Sequence, residues 1–108
     1  MTYRLRYHPA VPGDLARIEG WVSKRSSAET AARIIAEIED AAAELTTFPH
    51  RGSVRNHVRN GIRAIPAGRR AVIVFRVNDV DRTVLIVGVS YAGSDWTRAV
   101  RSRLPPTS

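Results

Sequence analysis

Arg63, Arg69, Arg70 and Arg76 crowd one short stretch of the chain, and Tyr91 and Trp96 follow it. Guanidinium groups pair bidentately with phosphates and carboxylates, so such a run suits a nucleic acid or an acidic protein partner. Cleaving a bound phosphodiester would also need one group to take a proton and another to return it. Proton carriers are scarce here. A phenol such as that of Tyr91 ionises near pH ~10 unless a strong cationic field lowers it. At the end of a strand such a residue more often packs amphipathically than carries a proton. His8, His50 and His57 share no metal-ligand spacing and have no cysteine beside them, so neither a metal nor a cofactor is expected. Beyond residue 50 the acids are Asp79, Asp81 and Asp95.

The whole chain has 108 residues, 17 Lys and Arg against 10 Asp and Glu, and a formal charge of +7. Residues 1–50 carry 6 basic and 7 acidic side chains and the remainder 11 and 3, so the basic excess lies entirely in the back half. Arg-rich codon usage explains why these cations are arginines but not why they are segregated, which points to a basic surface. The length fits one domain, expected over residues 1–104 with an unstructured Pro-Pro-Thr-Ser tail at 105–108. No run approaches the ~20 apolar residues of a membrane span. The N-terminus lacks the apolar core of a signal peptide, so a cytoplasmic protein with no membrane partner is expected. Without cysteine there are no disulfides and no thiolate chemistry.

These residues need elements to position them. Tyr3, Leu5 and Tyr7 alternate with Arg4 and Arg6, the period of a half-buried strand. Pro9 and Pro12 suit the first turn of a helix whose stripe is Val11, Leu15, Ile18 and Val22, running to about Lys24. Ser26 and Glu29 have capping-box spacing and predict a second helix to about Thr47, with Ala31, Ile35, Ile38, Ala42 and Leu45 on its apolar face. A short connection between two striped helices predicts an antiparallel hairpin, ended by Phe48-Pro49-His50-Arg51-Gly52.

Beyond Gly61 the period changes. A short strand is expected from residue 62 to 65, a turn at Pro66-Ala67-Gly68, a strand from 70 to 77 and another from 83 to 91. Ala71, Ile73, Phe75 and Val77 share the face that should pack on the helices, which leaves an open face bearing Arg70 and Arg76. Gly88 inside a strand marks a bulge or a close backbone approach. Ser94 or Asp95 should cap a terminal helix to about Leu104, with Arg98, Arg101 and Arg103 suiting its dipole. The fold class is therefore α+β, ordered β-α-α-β-β-β-α, with a helical hairpin on one face of a mostly antiparallel four-stranded sheet.

Several of these segments, in this order, resemble the RelE/ParE toxin superfamily. They are the opening Tyr-Arg-Leu-Arg-Tyr-His-Pro-Ala, the hairpin ending at Phe48–Gly52, and the segment Gly61-Ile62-Arg63-Ala64-Ile65-Pro66-Ala67-Gly68-Arg69. Val74-Phe75-Arg76-Val77 and Val89-Ser90-Tyr91-Ala92-Gly93-Ser94-Asp95-Trp96 complete the likeness. The resemblance implies a type II toxin held inactive by a co-expressed, ParD-like antitoxin in a hetero-oligomer.

Two activities divide that superfamily. ParE-type members interfere with DNA gyrase, whereas RelE- and YoeB-type members cut mRNA on the ribosome. The lysines of the RelE type are missing from the back half, and the YoeB-type glutamate and terminal His-Tyr pair are not evident. The resemblance therefore implies a ParE-like gyrase inhibitor without catalytic residues. Its target would be met by Arg63, Arg69, Arg70, Arg76, Tyr91 and Trp96, and its antitoxin by Arg17, Trp21, Arg63 and Arg76. A ribosome-dependent nuclease using Arg63, Arg76 and Tyr91 is the alternative, and a non-toxic corepressor that only binds the antitoxin is a second. Trp21, on a helix flank, is either core or an exposed anchor for a partner.

Overall fold

The computed structural model describes residues 2–105. A strand, β1 (Arg4–Tyr7), leads into helix α1 (Val11–Arg25), which has a proline in its first turn. Helix α2 (Ala28–Glu44) returns against it. The backbone N–H of Ser26 donates to the Val22 carbonyl and so closes α1, which moves the cap of α2 one residue on from the expected Ser26. Ser27 Oγ accepts from the Thr30 amide at 3.0 Å. The helix stops at Glu44, short of Thr47, and the next residues form turns.

The rest of the chain is mostly sheet: β2 (Ser53–Val54), β3 (Ile62–Ala67), β4 (Ala71–Asn78) and β5 (Thr83–Tyr91), closed by helix α3 (Thr97–Arg103). The strand order is β1-β5-β4-β3-β2, antiparallel except for the β1–β5 pair. Among the described residues the sheet thus has five strands, not the four expected. The extra one, β2, is two residues long, too short to show any period. It pairs with Ala64 and Arg63 because Gly52, at φ +84°, lets the backbone fold tightly onto β3.

One face of the sheet carries the main core. Ile73 and Phe75 of β4 and Val84, Ile86 and Val89 of β5 are buried against Ile18, Val22, Ile38 and Leu45 of the hairpin. Between Val74 and Phe75 the register slips by one residue, since Val74 pairs with Gly88 and Phe75 with Ile86. Val87 is the extra residue. The parity of β5 flips there, so the helix-facing residues change from Val84 and Ile86 to Val89 and Tyr91.

The opposite face is not the open Arg-bearing surface expected from β4. It holds a second core of Val58, Ile62, Val74, Val87, Val100 and Leu104, roofed by α3. The physical reason is visible in β4 itself, where Val72 and Val74 alternate with Ile73 and Phe75. A strand apolar on both faces must be covered on both. Arg76 is half-buried at the border of this core. In the tail Pro105 is exposed, and residues 106–108 fall outside the described residues. Among the described residues no helix is long and apolar enough to cross a membrane.

Gly52 supplies a test of this packing. A Cβ there would lie 2.4 Å from both the Ala64 carbonyl oxygen and Ile65 Cγ2, in a left-handed backbone that already disfavours side chains. Gly52→Ala should lower stability by about 2–4 kcal/mol, read as a shifted urea midpoint with an unchanged slope. A change within about 0.5 kcal/mol would contradict the tight β2–β3 approach.

Candidate functional site

Asp14 stands within the apolar stripe of α1, one turn after Val11 and one before Ile18, and is 5% exposed. A carboxylate in that position must be fully satisfied. Arg103 Nη1 donates to Oδ2 at 2.6 Å and Nη2 to Oδ1 at 2.7 Å, a bidentate pair spanning almost the whole chain. The Val89 amide donates to Oδ2 at 3.1 Å, and Arg17 donates to Oδ1 from the solvent side. Arg103 Nη1 also reaches the Val87 carbonyl at 3.0 Å, on the bulge. Burial alone would raise the Asp14 carboxyl. The hydrogen bonds from Arg103 and Val89, with the charges of Arg103 and Arg17, outweigh it and hold the carboxyl below its usual range. The same bonds push the Arg103 guanidinium up, against its own burial.

Above this ion pair lies a cavity of about 560 Å³ between α1, the end of β5, the loop at residues 92–96 and α3. Asp14, Gly88 and Arg103 are among its lining residues, together with the rings of Trp21, Tyr91 and Trp96. Gly88 leaves room for the pair: a Cβ would sit 3.0 Å from Arg103 Nη1, which would have to give by a few tenths of an ångström, and at an ordinary 3.6 Å from Asp14 Oδ2. One lip is Ala92-Gly93, two successive residues with positive φ, of +57° and +80°. Asp95 Oδ1 accepts from the Thr97 amide and hydroxyl and so steers the chain into α3, although Trp96 occupies the cap position. Those two bonds lead the influences that hold the Asp95 carboxyl low.

Trp21 resolves as an exposed side chain, 38% accessible, set edge-on to Tyr91 at 5.8 Å between centroids. Arg25 lies over its ring at 4.2 Å, and Arg70 reaches both Trp21 and Tyr91 at 5.9 and 5.6 Å. Arg69 is exposed in the β3–β4 turn beside Arg70. Trp96 packs partly into the second core, with Arg55 at 5.7 Å from its ring.

The remaining arginines do not join this site. Arg63 pairs with Phe75 and therefore faces the helix side, whereas Arg76 pairs with Ile62 and faces the α3 side. Tyr91 pairs with Ala71, four residues along β4 from the register of Arg63. Arg63 instead sits near a surface cluster at the other end of the sheet. There Tyr3 Oη donates to Asp79 Oδ1 at 2.6 Å, and His50 Nε2 contacts the same oxygen at 2.8 Å. The Tyr3 bond, then His50 and the charge of Arg63, hold the Asp79 carboxyl low despite some desolvation. Of the other histidines, His8 Nδ1 accepts from the Ala10 amide at the start of α1, and His57 is exposed.

Sequence reasoning missed Asp14 and assigned Arg103 only to the helix dipole. The signal was present, because a lone carboxylate within an apolar stripe calls for a cation somewhere in the chain.

A family profile described as ParE toxin of type II toxin-antitoxin system, parDE, matches residues 5–96. Helix α3, and with it Arg103, lies beyond that match. A chain of the chromosomal ParDE toxin-antitoxin system from P. aeruginosa is similar, with a TM-score of 0.71 at 19% identity over 83% of this chain and 96% of that one. A chain of the toxin-antitoxin complex RelBE2 from Mycobacterium tuberculosis gives 0.62 at 20% identity, covering 84% and 99%. A mutant of E. coli toxin RelE in the free state gives 0.68 at 12% identity, covering 94% and 96%. At these identities the likeness shows the fold. No curated protein is significantly similar in sequence.

The ion pair predicts a pH dependence. Folding lowers the Asp14 carboxyl, so its contribution is complete above the usual carboxylate range and is lost as pH falls through the lowered value. Asp14→Asn should cost about 3 kcal/mol at neutral pH, and the gap to the native chain should close as pH falls below ~4. Parallel stability profiles for the two proteins would contradict this.

Proposed function

The chain belongs to the ParE toxin family of type II toxin-antitoxin systems, and from that premise we propose that it arrests growth in the cytoplasm by binding DNA gyrase. The observation that carries this reading over mRNA cleavage on the ribosome is the dispersal of Arg63, Arg76 and Tyr91. The first two face opposite sides of the sheet, and the first and third are four residues apart in register, about 13 Å along the strand. A phosphate held by one of these arginines would not sit beside the Tyr91 hydroxyl, whereas a protein target can be gripped by separated patches. On this reading Arg69, Arg70 and Tyr91 form one contact at the end of the sheet, and Trp96 and Arg76 a second on the α3 side.

A ParD-like antitoxin is the proposed neutralising partner, in a hetero-oligomer. Arg17 and Trp21 are one helical turn apart on α1 and form its natural entry. Because Arg63 and Arg76 lie on opposite faces, a straight helix cannot meet both, so the antitoxin segment must wrap an edge of the sheet to reach the second. An intrinsically extended segment that orders on binding suits that path.

Tyr91→Phe keeps the ring that packs on Trp21 and removes the proton. It should remain as toxic as the native chain, while the double substitution Arg70→Ala with Arg76→Ala should weaken inhibition of gyrase supercoiling at least about tenfold. Loss of toxicity in Tyr91→Phe with antitoxin binding intact, together with mRNA cleavage on ribosomes by the native protein, would establish the nuclease reading instead.

A further inference from the structure

The cavity between α1 and α3 has the shape of a receptor and an electrostatic sign. Its volume falls within the range of cavities that take a ligand. Two guanidinium groups, those of Arg17 and Arg103, meet the single carboxylate of Asp14, which leaves one positive charge in excess at the floor. Arg17 is the replaceable partner: its side chain is 70% exposed, against 13% for Arg103. Arg25 and Arg70 add two more cations at Trp21, and neither forms an ion pair among the described residues. On the far lip Asp95 keeps its negative charge, but it is held by the Thr97 amide and hydroxyl and faced by the charges of Arg98 and Arg101. Behind the charged rim the walls are apolar, with Ile18, Ala99 and Val100 beside the rings.

An anion with an apolar body fits this combination. A nucleic acid fits it poorly, because the rings on which a base would stack carry guanidinium groups instead, Arg25 on Trp21, Arg70 on Tyr91 and Arg55 on Trp96. We propose that the cavity is the docking pocket for a bulky aliphatic side chain carried on an acidic peptide segment of the neutralising partner. The apolar side chain enters between Trp21 and Ala99, and a flanking carboxylate takes Arg17 from Asp14, which keeps its bidentate Arg103. The inference rests on the toxin-antitoxin reading above and deepens it by naming what the partner inserts and where. Its α3 wall lies beyond the residues of the family match.

Trp21 and Trp96 are the protein's two tryptophans and both line the cavity, so intrinsic fluorescence reads its occupancy directly. The chain is titrated with a short synthetic peptide of Glu and Leu, with the same peptide carrying Ser for Leu, and with an oligothymidylate. The Glu-Leu peptide should shift the emission, and Ala99→Phe, which fills the cavity, should weaken it about tenfold. Arg17→Ala, an exposed change that leaves Arg103 on Asp14, should weaken it in the same sense. An equal response to the Ser peptide, indifference to both substitutions, or a shift produced by oligothymidylate alone would overturn the proposal. A parallel arm keeps the two readings apart. If the co-encoded antitoxin still binds and rescues Ala99→Phe with native affinity, the pocket is not its docking site although the toxin reading stands. If the native chain neither arrests growth nor binds that antitoxin, the toxin reading itself fails and the pocket assignment falls with it.

Discussion

The buried pair of Asp14 and Arg103 is the constraint on which the rest of the molecule turns. It joins the first turn of α1 to the last turn of α3 and fastens both to the bulge of β5 through the Val89 amide and the Val87 carbonyl. Removing both charges from water is costly, and the mutual attraction offsets that cost only when every lone pair is engaged, as it is here by four donors on two oxygens. Such a pair contributes geometry more than net stability. A shift of β5 by one residue, or of α3 by one turn, would leave a charge buried without its partner. It also favours Gly88, since a Cβ at that position would crowd the guanidinium at 3.0 Å.

From this constraint the two-sided architecture follows. With α3 held down, the sheet has a core on each face, and the basic residues are expelled to its margins rather than spread over one surface. Arg70 reaches Trp21 and Tyr91, Arg69 is exposed in the turn beside it, Arg63 goes to the Tyr3–Asp79–His50 cluster at the opposite end, and Arg76 borders the second core. The cavity is a by-product of the same clamp, being the space that α1 and α3 leave above the ion pair that joins them.

Much of this was legible from residue spacing. The stripe of Val11, Leu15, Ile18 and Val22 and that of Ala31, Ile35, Ile38, Ala42 and Leu45 placed the hairpin, and the odd residues of β4 placed the face it covers. Gly88 marked the bulge. What escaped was set by contacts distant in sequence. Alternation in β4 shows two apolar sets but not which element covers the second. The two residues of β2 have no period of their own and exist because Gly52 permits the turn. Ser26 and Ser27 compete for one cap, decided by which amide α1 needs to close. Asp14 and Arg103 were individually visible, yet nothing local says that they meet.

The central claim is that this one pair fastens α3 across the sheet, and amide hydrogen exchange on α3 tests it most directly. In the native chain the amides of Val100, Arg103 and Leu104 should exchange with the same free energy as the core of β4 and β5, by global unfolding. In Arg103→Gln they should exchange at least about a hundredfold faster while the strands keep their protection, which marks local release of the helix. Equal protection of α3 in both proteins, or loss of strand protection in step with it, would contradict the account.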